Sequence, residues 1–362
     1  MSFRAAYKNL CILFAGSLTL HATAGIAQTA KSLPIVAIVG DSAGTELTDF
    51  VVPRATLAQS GVARVITVSA TRASIALYPS TLTTVPEMTF AEFDDAFPRG
   101  ASYVIVPALV ARNNPSVVAW IRQQAKDGAT VAAICDGAWT VARAGLLDGH
   151  RAAGHWHSLG ALAKEYPAVK WERDTRYVFD DDRLSTAGVT ASLPFSLALV
   201  ERIGGREVAM STAQKLGVSS WSPAHRTADF SVSRSMYARS LWNVVAWWRH
   251  ESIVVPVADG VDEIALAMTI DAIQRTGRAQ AYAQIEGATT VLGGQGLRIQ
   301  TVPLPSNATS KAKTMALART NSPATALDSA IVQLTRWYGS GAGDIIAMGM
   351  EYPRHAMELT RK

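Results

Sequence analysis

The sequence predicts an α/β fold built on a mostly parallel sheet covered on both faces. Three observations carry this. Short continuous apolar runs recur along the chain, helix-like segments separate them, and the strand runs lack the polar alternation of a half-exposed sheet. The chain has 362 residues, 49% hydrophobic and 17% charged, which supplies a sizeable core and excludes global disorder.

The elements follow in order. Pro34 to Val39 is a β run ending at Gly40. Glu46 to Ser60 reads as a helix, with Leu47, Phe50, Val51, Leu57 and Ala58 at mixed three-and-four spacing. Val65 to Val68 and Tyr103 to Val106 are the next strands, the latter closed by Pro107. Pro115 to Lys126 reads as a helix with proline in its first turn. Ala129 to Ile134 is a further strand, and Gly137 to Arg143 the helix after it. Asp180-Asp181-Asp182 reads as a tight polar turn rather than a metal site, because three adjacent carboxylates do not all face one ion. Val189 to Ile203 closes this part of the chain as a helix.

Beyond residue 256 the sequence partly resembles its own beginning. Gly260 to Gly277 (GVDEIALAMTIDAIQRTG) aligns without gaps on Gly44 to Gly61 (GTELTDFVVPRATLAQSG), and LRIQTVP ending at Pro303 parallels STLTTVP ending at Pro86. Two explanations stand: a degenerate partial repeat, or two unrelated amphipathic helices each followed by a strand. The second segment has Ala265 where the first has Asp49 and carries no cysteine, so no chemistry is expected of it. Met236 to His250, with Trp242, Trp247 and Trp248, reads as a connecting helix, and Ser306 to Asn321 as a surface loop. The expected organisation is a leader at 1–27, an α/β domain at 34–218, a connecting segment at 219–255 and a C-terminal α/β segment at 256–362.

The first 27 residues have the pattern of a secretory signal: Arg4 and Lys8, then the uncharged stretch Leu10 to Leu20, then small residues around Ala24 and Ala27. The expected location is therefore periplasmic or secreted, with an uncleaved N-terminal anchor as the alternative. No later stretch is long and apolar enough for a membrane span, so none is expected in the mature chain. Net charge is +5, but the basic residues are scattered, and no nucleic-acid partner is expected.

Of the two cysteines, Cys11 falls in the presumed leader, leaving Cys135 alone. Cys135 stands where a buried-looking strand stops and a helix begins. A strand turning sharply into a helix exposes and strains its corner residue, and the positive end of a helix dipole favours thiolate. The competing reading is a small buried hydrophobe.

The stretch Ile134-Cys135-Asp136-Gly137-Ala138-Trp139, with Ala144 to Gly149, His155-Trp156 and the segment Ser185 to Ala191 (STAGVTA), resembles the DJ-1/PfpI family of class I glutamine-amidotransferase-like proteins, amidase-like branch. The resemblance covers about residues 34–218. It implies a flavodoxin-like three-layer sandwich with Cys135 at a nucleophile elbow. It also implies a first-helix carboxylate, four residues before a helix proline, pointing at the sulfur. Asp49, ahead of Pro53, fits; Glu46 is the second candidate. His155 matches the family histidine, a general base or substrate-orienting group. Homodimer formation is a further implication, with the late tryptophans available either for that interface or for joining the two halves of the chain.

Two departures stand out. Asp136 follows the cysteine, and its negative charge opposes a thiolate. Pro107-Ala108-Leu109 replaces the Pro-Gly-Gly of relatives, where backbone N–H groups would serve an oxyanion. Three functions are consistent with these residues: a cysteine-dependent hydrolase or hydratase acting on a small polar substrate, a non-catalytic sensor or ligand-binding module, and a partner-binding relative of amidase-like transcriptional regulators. No cofactor and no metal is expected.

Overall fold

The computed structural model describes residues 32–308, 311–317 and 322–353; the presumed leader lies outside them. Seven strands form the main sheet: β1 (Ile35–Val39), β2 (Arg64–Ser69), β3 (Met88–Thr89), β4 (Tyr103–Val106), β5 (Thr130–Ala133), β6 (Tyr177–Asp180) and β7 (Arg183–Thr186). Their spatial order is β6-β7-β5-β4-β1-β2-β3. All neighbours are parallel except β6 and β7, which form a hairpin across Asp181 and Asp182. Asp181 takes the left-handed conformation (φ 55°), which aspartate tolerates better than most residues, so the acidic run is a turn as expected.

Strand alternation divides the core. Val36 and Ile38 of β1, Ile105 of β4 and Ala132 of β5 face one side; Ala37 and Val39, Val104 and Val106, and Val131 and Ala133 face the other. On the second side lie α2 (Pro115–Lys126) and α3 (Gly137–Arg143). On the first lie α1 (Leu47–Ser60), α4 (Ser192–Gly204) and α5 (Arg206–Leu216). The segment expected to be one closing helix starts instead with a 3-10 turn at Val189–Ala191, and α4 begins at Ser192.

Helix α1 is capped by Glu46, whose side chain accepts the Asp49 N–H, and ends at Gly61 with φ 70°. Every residue from Leu47 to Leu57 is buried. A helix buried on all sides needs a second cover beyond the sheet, and the C-terminal half provides it. After α6 (Arg234–Val245) come β8 (Glu251–Pro256), α7 (Glu263–Arg275) and β9 (Ala279–Gln284), then β10 (Arg298–Gln300), α8 (Ala326–Tyr338) and α9 (Ser340–Met350). The connecting region thus holds a shorter helix than expected, followed by a 3-10 turn at Trp247–Arg249. The segment read as a loop after Ser306 includes a strand, Lys313–Thr314, paired with β8.

Geometry supports the repeat reading. Strands β8 and β9 are parallel, as are β1 and β2. Asp262 caps α7 by accepting from Ala265 N–H, as Glu46 caps α1. Helices α8 and α9 have the lengths of α4 and α5, 13 and 11 residues. The joints match as well: Gly205 has φ 86°, ψ 167° and Gly339 has φ 84°, ψ 166°. What the second copy lacks is any counterpart of β5, α3 and the cysteine corner among the described residues.

The copies meet about a local twofold. Helices α1 and α7 pack antiparallel: Glu46 reaches Arg275, Thr48 reaches Asp271 and Arg54 reaches Glu263. Strand β10 pairs antiparallel with Thr83–Thr84, and Gln300 lies opposite Thr83, its own counterpart in the aligned sequence. One apolar core runs through both halves, joining Val36, Phe50 and Val52 to Ile253, Ile264 and Ile270.

Candidate functional site

Cys135 sits between the end of β5 and the start of α3 with φ 54°. A residue with a Cβ is strained there by roughly 1–3 kcal/mol. The strain is held by the flanking backbone: Ile134 N–H donates to Val106 O at 2.9 Å and Cys135 N–H to Thr186 Oγ1 at 3.0 Å. Gly137 makes the corner tight, since a Cβ there would lie 2.1 Å from the Val106 carbonyl oxygen. The strained corner expected at Cys135 is therefore present, but the exposure expected with it is not.

Its electrostatics differ from the expectation of a stabilised thiolate. Cys135 is only 6% exposed. Burial first, then the carboxyl groups of Asp49, Asp136, Glu46 and Glu351, push its pKa well above the ordinary thiol value. Helix α3 has only seven residues, and the dipole that favoured thiolate is outweighed.

Asp49 is fully buried, as its apolar neighbours predict. Its Oδ2 accepts the Ala108 N–H at 3.3 Å and its Oδ1 the Ser192 hydroxyl at 3.3 Å. Burial raises its pKa to about 8 against the lowering effects of Ala108 N–H and Arg275, so it is a neutral carboxylic acid at pH 7. Among the carboxyls it has the largest influence on Cys135. Pro53 withholds the N–H that would bond the Asp49 carbonyl within the helix. The Ala108 N–H, in the loop that departs from the Pro-Gly-Gly of relatives, is engaged by Asp49.

Glu46 joins a buried ionic network. Its Oε2 accepts Asp49 N–H at 2.6 Å, and its Oε1 accepts from Arg275 Nη2 at 2.7 Å. Arg275 also donates to Asp271 Oδ1 at 2.8 Å and to the Gly349 carbonyl at 3.0 Å. Burial, then Asp49 and Asp271, raise the Glu46 pKa; Arg275 opposes them. Asp136 stands at the start of α3 without a side-chain capping bond, and its Oδ1 is buried without a hydrogen-bond partner. Burial raises its pKa, offset by Ser158, Arg112 and His157.

His155 is half-buried. Its Nδ1 accepts the His157 N–H at 3.3 Å, and the ring donates to the Gly349 carbonyl. Burial lowers its pKa to about 4 although Glu351 raises it, so the ring is neutral.

Sequence reasoning missed Arg275 and Glu351. Glu351 follows α9 with φ 57° and is 2% exposed. It accepts the Gly188 N–H and pairs with His225 Nε2 at 2.9 Å, while Thr190 Oγ1 donates to its carbonyl at 2.7 Å. Gly188 is required there, because a Cβ would meet Glu351 Oε2 at 2.1 Å and His155 at 2.9 Å. Trp156 Nε1 donates to Met348 O at 3.2 Å. The half expected to be without chemistry thus supplies Arg275 and residues 348–351 to the surroundings of Cys135. The only signal for this in the sequence was the repeat itself. Among the described residues no His, Cys, Asp and Glu cluster suits a metal ion, and no helix is long and apolar enough to cross a membrane.

A flavodoxin-like α/β sandwich with a strained cysteine between a central strand and its helix defines the class of protein. Residues 35–202 match the DJ-1/PfpI family, and that segment is a DJ-1/PfpI domain. The chain is similar to the HTH-type transcriptional regulator GbdR of Pseudomonas aeruginosa, 36% identical over 98 residues, which is 27% of this chain and 26% of the regulator. It is also similar to isonitrile hydratase of Pseudomonas putida, 33% identical over 92 residues, 25% of this chain and 38% of the hydratase. The matches therefore span well under half the length of these relatives. Among solved structures, a ThiJ/PfpI family protein from Pseudomonas syringae aligns at 25% identity with TM-score 0.45, covering 55% of this chain and 82% of that one.

Proposed function

We propose that the Cys135 site is a ligand-responsive sensor site for a small polar molecule. One observation carries this reading: the thiol is strained, buried and held neutral, and we read Arg275 and Glu351, which act on it electrostatically, as its cover. Catalysis by a free thiolate would need the opposite electrostatics. The carboxyl groups of Glu46, Asp49, Asp136 and Glu351 favour a ligand rich in hydrogen-bond donors or carrying positive charge. Similarity to HTH-type regulators is consistent with sensing, and it weighs against the expectation of no nucleic-acid partner.

A second reading, cysteine-dependent hydration or hydrolysis, is favoured by the strained elbow together with Asp49 held as a neutral acid. Here Cys135 Sγ would bond to an electrophilic carbon of the substrate, Asp49 would give its proton to the substrate atom that receives the displaced π electrons, and the thiol proton would pass to the Asp49 carboxylate so formed. The rate of iodoacetamide labelling of Cys135 from pH 4 to 9 separates the two. The sensor reading expects slow labelling with a midpoint above the ordinary thiol pKa of about 8.5. Fast labelling near neutrality removes the sensor reading and leaves the enzyme.

Export is also proposed, on the pattern Arg4, Lys8 and Leu10 to Leu20. N-terminal sequencing tests it; an intact Met1 on the soluble cytoplasmic protein refutes it.

A further inference from the structure

The connecting helix does not use its aromatic side chains to join the two halves. Asn243 and Ala246 anchor α6, with Asn243 Nδ2 donating to Thr276 O at 2.9 Å. The other face points to solvent: Tyr237 is 65% exposed, Leu241 53%, Val244 63%, and beyond the helix Trp247 73% and Trp248 60%. Trp242 and Trp247 each stack edge-to-face on Trp248, at 6.0 and 6.1 Å between ring centres. An apolar face of this extent marks an interaction site.

Charge decides what it meets. From Ser231 to His250 the chain has Arg234, Arg239 and Arg249 and no Asp or Glu. Beside Trp248 opens a cavity of about 590 Å³ lined by Arg249, His250, Arg278, Lys311 and Lys313. Its one carboxylate, Glu251, is already held by Lys313 at 2.6 Å and by the Tyr338 hydroxyl at 2.9 Å. Two copies docked through this face would oppose arginine to arginine with no acid to answer them. A phospholipid surface offers phosphate to the cavity and an apolar boundary to the tryptophans.

We propose that the outer face of α6 and the cationic cavity beside it dock on an anionic phospholipid bilayer. Trp247 and Trp248 enter the interfacial layer, and Arg249 and Lys311 contact lipid phosphates.

The test is co-sedimentation of the full-length chain with vesicles of phosphatidylcholine alone or mixed equally with phosphatidylglycerol. The expected result is binding that needs phosphatidylglycerol, weakens with salt and shifts tryptophan emission to the blue. The pair Trp247→Ala, Trp248→Ala should weaken binding at least about tenfold. The pair Arg249→Gln, Lys311→Gln should weaken it roughly fivefold for each charge removed. All four side chains are at the surface, and circular dichroism confirms that the variants fold. Three results overturn the proposal: no binding to the anionic vesicles, equal binding by wild type and both variants (attachment through another segment such as Leu10 to Leu20), or a concentration-dependent dimer that the tryptophan pair abolishes.

Discussion

Glu263→Ala should destabilise the whole chain, although Glu263 lies far from Cys135 in sequence. Glu263 is fully buried, and its Oε2 receives Arg54 Nη1 at 3.0 Å. Its Oε1 receives the N–H groups of Gln295 and Leu297 at 3.1 and 2.9 Å. Removing the carboxylate leaves the Arg54 guanidinium, 6% exposed, without its counter-charge; Gln295 O at 3.2 Å is its remaining acceptor. Orphaning one member of a buried pair costs about 3–5 kcal/mol. Each N–H left unbonded adds about 1–3 kcal/mol where water does not replace the carboxylate, though the terms overlap. For a unit of this size, an unfolding entropy of about 2.1 cal/mol/K per residue makes 1 kcal/mol worth about 1.5 °C, so the orphaned pair alone lowers Tm by roughly 5–7 °C and the unbonded N–H groups lower it further. The assay is differential scanning calorimetry of wild type, Glu263→Ala, Arg54→Met and the double variant. Arg54→Met alone should cost less, because the glutamate keeps its two backbone donors. The double variant should recover part of the loss, the signature of a coupled pair. A Glu263→Ala change below about 1 kcal/mol, with a single transition kept, would refute the account of α1 and α7 as one core.

Two further outcomes follow. Asp49 has a folded pKa of about 8 against about 3.9 unfolded, so between those values the folded state binds the extra proton and stability falls as pH rises. Asp49→Asn should flatten that decline in denaturant titrations between pH 4 and 8; an unchanged slope would show that Asp49 is ionised when folded. Gly188→Ala pushes a methyl group against Glu351 and His155, at a cost of about 1–3 kcal/mol, and should speed Cys135 alkylation by displacing the cover. Unchanged labelling would mean that Glu351 does not shield the sulfur.

Much of the fold was legible because its signals are local. Pro115 marks the start of α2, and the helix runs to Lys126 as read. Continuous apolar strands announced the parallel sheet, and the acidic turn follows from aspartate's tolerance of positive φ. The strained corner at Cys135 was also readable, from a strand, a cysteine and a glycine in succession. Its protonation state was not. The local dipole pointed to thiolate, whereas burial decides first and then carboxyl groups such as Asp49, Glu46 and Glu351, brought together only by tertiary contacts. Arg275 was hidden for the same reason, since the alignment places it opposite Gln59, which predicts nothing about Cys135. The tryptophans of residues 242–248 announced an apolar face, but periodicity cannot tell which way such a face turns.

Joining the two copies in one polypeptide lets them diverge independently. When identical subunits associate, one codon change alters both sides of the contact at once, and a charge placed on one side recurs on the other. Here Arg275 has Gln59 as its counterpart, and Glu263 has Leu47. The covalent arrangement can therefore hold a cation on a single side of the axis, serving one cysteine corner, without creating its mirror image.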